Sequence, residues 1–143
     1  MSLALSADLT TLLRSIVDIE SVSGNETPLA DAVWAALSAS DHLALWRDGD
    51  TIVARTELGR PTRVVIAGHL DTVPVAGNLP SELRDGLVYG RGTCDMKGGV
   101  AVQLALAPQL VEPRHDITWI FYDHEEVDAA FNGLARVGRI RPD

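Results

Sequence analysis

The sequence predicts an α/β fold: a mainly parallel central sheet flanked by helices. Three observations carry that expectation. Apolar residues recur at helical spacing in four stretches, and between them the period shifts to that of strands. Two largely apolar runs, RVVIA at 63 to 67 and ITWIFY from Ile117 onward, suit strands buried on both faces. Helical and strand-like segments alternate along the chain.

Taken in order, residues 7 to 20 read as an amphipathic helix. Leu9, Leu12, Leu13, Ile16 and Val17 share one face, behind a Ser6 cap. Residues 21 to 26 form a loop. Thr27 and Pro28 then cap and open a second helix, whose apolar face is Leu29, Val33, Ala36 and Leu37. Next come two short extended runs around Asp48-Gly49, a hairpin signal. The run RVVIA is a core strand, and GHLDTVPVAGNLPSE leaves it as a loop. A second hairpin turns at Asp85-Gly86. Residues 98 to 110 read as a buried helix ending near Pro108 or Pro113, and ITWIFYD is another core strand. Helical spacing returns in EVDAAFNGLARVGRI, with Val127, Phe131, Leu134 and Val137 or Ala130 on one side.

The chain has 143 residues, enough for one domain with a real core, so 1–143 is taken as a single unit. Its net charge is −8, from 12 basic and 20 acidic residues. Such a surface repels phosphates, which argues against nucleic-acid binding. No apolar run is long enough to span a bilayer, so no membrane partner is expected. The N-terminus lacks the basic and apolar regions of a signal peptide, so a cytoplasmic location is expected. The single cysteine, Cys94, excludes an internal disulfide and reads as a small buried residue.

Three clusters carry potential chemistry. The first strand runs into Gly68-His69-Leu70-Asp71, and the second into Asp123-His124-Glu125-Glu126. Between them, GRGTCDMKGG places Asp95 among glycines. Ligands in open α/β sheets sit beyond the carboxyl ends of strands. Side chains two apart on an extended segment point the same way. His69 could therefore bind a metal through one ring nitrogen while Asp71 holds the other, directly or through the local turn. Each cluster also has a plainer reading. His69 and Asp71 suit a surface turn before Pro74, Asp95 a loop or cap, and Glu125-Glu126 the start of a helix. Two motifs fail by inspection. Position 128 is Asp, so His124 does not open H-E-x-x-H, and GRGTCDMKGG is not a phosphate loop. His42 and His115 lack partners at ligand spacing and read as loop residues.

In this order and spacing, GHLDTVP, GRGTCDMKGG and FYDHEEV resemble the co-catalytic zinc amidohydrolases. That family includes aminoacylases, acetylornithine deacetylases, glutamate-releasing carboxypeptidases and succinyl-diaminopimelate desuccinylases. The resemblance covers nearly the whole chain. VARTELGRPTRVVIAGHLDTVPVAGNLPSEL, with YDHEEV and NGL, is similar to the actinobacterial type of succinyl-diaminopimelate desuccinylase. The resemblance implies a site with two zinc ions, cobalt being an alternative. His69 would bind one ion, Asp95 would bridge both, and Glu126 would bind the second. Glu125 would be the general acid/base and Asp71 the support of His69. A non-proline cis peptide after Asp95 is implied too. The implied reaction is hydrolysis of an N-acyl amide by activated water. The expected substrate is a small N-acyl amino acid, here N-succinyl-LL-2,6-diaminopimelate, with deacetylation of acetylornithine or another acyl-amino acid as the alternative.

Relatives of this kind are longer. They carry a further carboxylate ligand beyond the glutamate pair, a late histidine ligand, and an inserted lid domain that makes a homodimer. A chain ending at Asp143 has none of these, so the resemblance implies the N-terminal part of a zinc-peptidase catalytic domain without the lid. Two ligands per ion fall short of the usual three. The chain alone is thus expected to be inactive, with an exposed sheet edge and a rival reading as an interaction module.

Overall fold

The computed structural model describes residues 3–140. Helix α1 (Leu9–Val17) is capped by Asp8, not by Ser6. The Asp8 carboxylate accepts the Thr11 amide at 3.1 Å and the Thr11 hydroxyl at 2.6 Å, satisfying a donor the first turn leaves open. Helix α2 (Thr27–Leu37) opens on Pro28, whose missing N–H costs nothing there. Strands β1 (Ala44–Asp48) and β2 (Thr51–Arg55) form the expected hairpin, with Gly49 supplying φ +60°. Strand β3 (Arg63–His69) follows. A satellite hairpin of β4 (Glu82–Arg84) and β5 (Leu87–Tyr89) turns at Asp85-Gly86. Helix α3 (Gly98–Leu106), strand β6 (Asp116–Tyr122) and helix α4 (Gly133–Ile140) complete the order.

The α/β class holds: a central sheet is flanked by helices. Its strand order is β1-β2-β6-β3. The sheet is mixed, which corrects the expectation of mainly parallel strands. β1–β2 and β2–β6 are antiparallel, and β3–β6 is the parallel pair. The tight turn after Asp48 can join only antiparallel neighbours. The long connection through α3 is what lets β3 and β6 run the same way.

Strand β6 shows the packing most directly. Ile117, Trp119 and Phe121 alternate into the larger core, with Leu12 and Ile16 of α1, Leu29 and Val33 of α2, and Leu104 of α3. Ile120 on the opposite face joins Val53 and Val137, with Leu134 packed against them. Helices α1, α2 and α3 thus cover one face, and α4 the other.

Strand β3 departs from expectation. Val64 and Val65 are 43% and 58% exposed, so the run is not buried on both faces. β6 is its one strand neighbour among the described residues, which leaves its far edge open.

The last helix starts later than its apolar period suggests. Asp128 accepts the Ala130 amide at 2.8 Å and caps a single 3-10 turn, Ala129–Phe131. Asn132 accepts the Ala135 amide at 3.1 Å and starts α4 afresh. The two caps break the period, and Val127 and Phe131 are left exposed. Among the described residues no helix is long and apolar enough to cross a membrane.

Candidate metal centre

The parallel pair sets the site. His69 lies opposite Tyr122, so β3 and β6 end at the same level. The Leu70 amide extends the pairing to the Tyr122 carbonyl at 2.7 Å. The loops that leave the two strands therefore meet, and His69 and Asp71 face the 124–126 turn.

His69 is buried and fixed at one nitrogen. Its Nδ1 lies 2.9 Å from the Asp71 carbonyl and 3.5 Å from Asp71 Oδ1. A donor there leaves Nε2 as the ligating atom. Nε2 points to Asp95 Oδ1 at 3.0 Å. Burial disfavours the charged imidazole, but the contacts with Asp71 and Asp95 outweigh it and raise the His69 pKa to about 9.

Asp95 projects from the kinked segment Thr93–Lys97, where the Asp95–Met96 peptide is cis. Gly92 enters this segment at φ +79°, and its carbonyl accepts the Lys97 amide at 2.8 Å. Lys97 is buried. Its Nζ donates to the Ile19 carbonyl at 2.7 Å, just beyond the C-terminus of α1. Burial lowers the Lys97 pKa to about 8, against the pull of Asp18 and Glu20. The segment is thus tied to α1 close to the residue that carries the carboxylate.

Asp71 organises the other side. Oδ1 accepts the Glu125 amide and Oδ2 the Glu126 amide, both at 3.0 Å, and the Ser23 hydroxyl donates to Oδ2 at 2.6 Å. Burial pushes Asp71 up, but these bonds and its contact with His69 hold it well below the usual carboxylate range. Glu126 is shifted upward, by burial first and then by the neighbouring Asp95 carboxylate.

The structure brings His69, Asp95 and Glu126 together: one ligand atom from each lies within 4.8 Å of the others. One imidazole nitrogen and two carboxylates form a donor set suited to zinc or another divalent cation. Beyond burial, the neighbouring acids that add to the upward shift of Glu126 are what a cation would offset. These residues fit such an ion. Glu125 is exposed beside them, and Asp71 lies behind, bonded to both halves. The groove in front is lined by Val73, Arg91, Cys94, Asp95 and Glu126. Cys94 is exposed there, which corrects its reading as a buried residue. His42 faces the Ala107 carbonyl and His115 the Thr62 hydroxyl, so neither joins the cluster. His124 turns away toward Asp123 Oδ2 at 3.1 Å. A larger cavity beside Leu3, Ala36 and Pro108 has no titratable side chain in its lining.

Sequence reasoning missed Ser23, Glu26 and Lys97. Only the last has a visible signal, a lysine two residues after Asp95 in a glycine-rich stretch.

Comparison with known proteins identifies the family. The family described as Peptidase family M20/M25/M40 matches residues 65–140. A Mycobacterium tuberculosis protein provisionally named succinyl-diaminopimelate desuccinylase DapE is 50% identical over 142 residues, covering 99% of this chain and 40% of that protein. The succinyl-diaminopimelate desuccinylase of Corynebacterium glutamicum is 42% identical over 146 residues, with the same coverage of 99% and 40%. The chain thus spans about 40% of the length of these relatives. Among solved structures, human carnosine dipeptidase 1 superposes with a TM-score of 0.74 at 22% identity, over 95% of this chain and 35% of that one. The M20 family metallo-carboxypeptidase Sso-CP2 of Sulfolobus solfataricus gives 0.74 at 15% identity, over 84% and 31%. The family match over residues 65–140 and the relatives' identity carry the conclusion: the chain belongs to peptidase family M20/M25/M40.

Proposed function

We propose that these residues form part of the catalytic centre of a metal-dependent hydrolase of N-acyl amides. The substrate would be N-succinyl-LL-2,6-diaminopimelate, cleaved to succinate and LL-2,6-diaminopimelate. The observation that carries the reading is the convergence of His69, Asp95 and Glu126 with Glu125 alongside. The desuccinylase relatives at 50% and 42% identity favour this substrate over acetylornithine.

In this reading His69, Asp95 and Glu126 would hold the metal, zinc or cobalt, and Asp95 would be the carboxylate shared if two ions bind. Bound metal supplies Lewis acidity and lowers the pKa of water. Asp71 keeps the His69 tautomer and fixes the main chain that carries both glutamates. Glu125 is the general base that takes a proton from water onto its carboxylate and returns one to the leaving amine. Its exposed side chain, on a main chain anchored at the next residue, suits that exchange. The chain is read as a single, partial catalytic domain of a cytoplasmic enzyme acting on a small molecule.

A chimera tests this. Residues 3–140 replace the matching segment of the Corynebacterium glutamicum relative, and hydrolysis of N-succinyl-diaminopimelate and of N-acetylornithine is measured. The expected result is metal-dependent desuccinylation, reduced by about 10²–10⁴ in Glu125→Gln. A folded chimera that prefers N-acetylornithine overturns the substrate. One whose Glu125→Gln variant keeps most of its activity overturns the role of Glu125. The isolated 143-residue chain is expected to be inactive in the same assay.

A further inference from the structure

The 124–126 turn carries an unusual burden of backbone hydrogen bonds. His124 has φ +58°, outside both strand and right-handed helix, so regular pairing does not serve the amides that follow β6. Carboxylates serve them instead. Glu26 Oε1 accepts the His124 amide at 3.3 Å, and the two Asp71 oxygens accept the amides of Glu125 and Glu126. Three consecutive amides are thus taken by two acids, both fully buried.

Both acids are gripped from the same loop, 21–26. Ser23 donates its hydroxyl to Asp71, and the Gly24 amide donates to Glu26 Oε2 at 2.7 Å. The loop is itself fastened alongside β3's exit. Ser21 Oγ donates to the Leu70 carbonyl at 2.7 Å, the Thr72 amide to the Ser21 carbonyl at 2.9 Å, and the Ser23 amide to the Thr72 carbonyl at 3.1 Å.

We propose that loop 21–26 is a positioning clamp for the candidate metal centre, in which Ser23 and Glu26 act through buried carboxylates to set the main chain bearing Glu125 and Glu126. Ser23 and Glu26 are positioning residues and touch no reacting atom. The inference rests on the metal-site reading for its effect on ligation, but the clamp itself is a property of the metal-free chain. A carboxylate bonded to an amide makes a charge-assisted contact, stronger than a neutral one. Losing the Ser23 hydroxyl removes one of the two donors on Asp71 Oδ2 and loosens the carboxylate that the Glu125 and Glu126 amides share. The glutamates then lose their fixed direction while the core, which Ser23 does not enter, is unchanged.

Two measurements on the 143-residue chain decide it. The first is amide hydrogen exchange without metal, in the wild type, Ser23→Ala, Ser23→Thr and Glu26→Gln. Ser23→Ala should speed exchange at the Glu125 and Glu126 amides by about tenfold and leave Val33 and Leu104 unchanged. Glu26→Gln should do so at His124, and Ser23→Thr should restore the wild-type pattern. No change at 124–126, or an equal rise everywhere, overturns the clamp. The second is zinc titration by calorimetry. Loss of a group that orients metal ligands typically weakens binding by about 10–100-fold. Ser23→Ala should bind at least about tenfold more weakly, with Ser23→Thr near wild type. Equal affinity overturns the coupling of loop to metal. A wild type that binds no zinc overturns the metal-site reading and with it that coupling, while the exchange result still decides the clamp.

Discussion

His69 shows how one residue is committed to one task. Its Nδ1 is occupied by the Asp71 carbonyl, so only Nε2 can face Asp95 and Glu126. Replacing Glu126 with Gln removes an anionic donor and keeps its shape. The variant should bind zinc at least about tenfold more weakly, with an unchanged melting curve for the metal-free chain. Equal zinc affinity in calorimetry would remove Glu126 from the ligand set. Far from this centre, Asp116 makes a second prediction. The Leu58 amide leads its hydrogen bonds, with the Arg60 amide, the Thr56 hydroxyl and Arg63 adding to it, and together they outweigh burial. Its pKa falls from the ordinary aspartate value of 3.8 to about 2. The group is depressed in the folded state, so its contribution is complete above about pH 4–5 and disappears as pH falls through 2. In urea melts between pH 6 and pH 2.5, the gap in stability between wild type and Asp116→Asn should narrow as the pH drops. A constant gap would refute the assignment. His69, Asp71, Asp95, Glu125 and Glu126 were legible in the sequence because each sits in a short, recognisable string. Ser23 and Glu26 were not: their partners lie 48 and 98 positions away, and no local pattern encodes such contacts.

At the scale of elements, α4 is held by a glycine. A Cβ on Gly133 would collide with Asp123 Oδ1 and Thr51 Oγ1, which are hydrogen-bonded to each other at 2.6 Å. Arg136 donates to the same Asp123 carboxylate at 3.0 Å and to Asp48 at 2.6 Å, so the helix N-terminus, the first hairpin and the end of β6 share one network. Gly133→Ala should therefore cost about 1–3 kcal/mol, the usual penalty for overpacking, despite the better helix propensity of alanine. Thermal unfolding checks this, and an unchanged or raised Tm would show that α4 moves freely. The sequence showed the apolar period of this region but hid its break. Asn132 before Gly133 and Asp128 before Ala129 are capping signals, and side-chain caps won over the hydrophobic period. The hairpins at Asp48-Gly49 and Asp85-Gly86 were legible because turn chemistry there is local. The antiparallel pairing of β2 with β6 was not, since it joins segments far apart in the chain.

For the whole molecule, the open edge of β3 is the main physical liability. Val64 and Val65 stand exposed on a strand with one side unpaired among the described residues, the arrangement that recruits further strands. The isolated chain is expected to self-associate in sedimentation velocity runs, and Val65→Lys should shift it toward monomer. A monomer at all concentrations in the wild type would show the edge to be harmless. The net charge of −8 opposes such association at low salt, so the effect should grow as salt screens it. The α/β class was readable from periodicity alone. Burial of β3 was misjudged because an apolar run records what a strand can pack against, not which neighbours are present.

The matched ends of β3 and β6 also bear on how such a chain can change in length. His69 stands level with Tyr122 only while the two strands stay in register. One residue inserted within β3 would turn His69 to the opposite face of the sheet. The β4–β5 turn lies in the connection between them and could lengthen without moving either strand end. Insertions and deletions should therefore collect in that hairpin, and the count of residues within the two strands should stay fixed wherever the centre is kept.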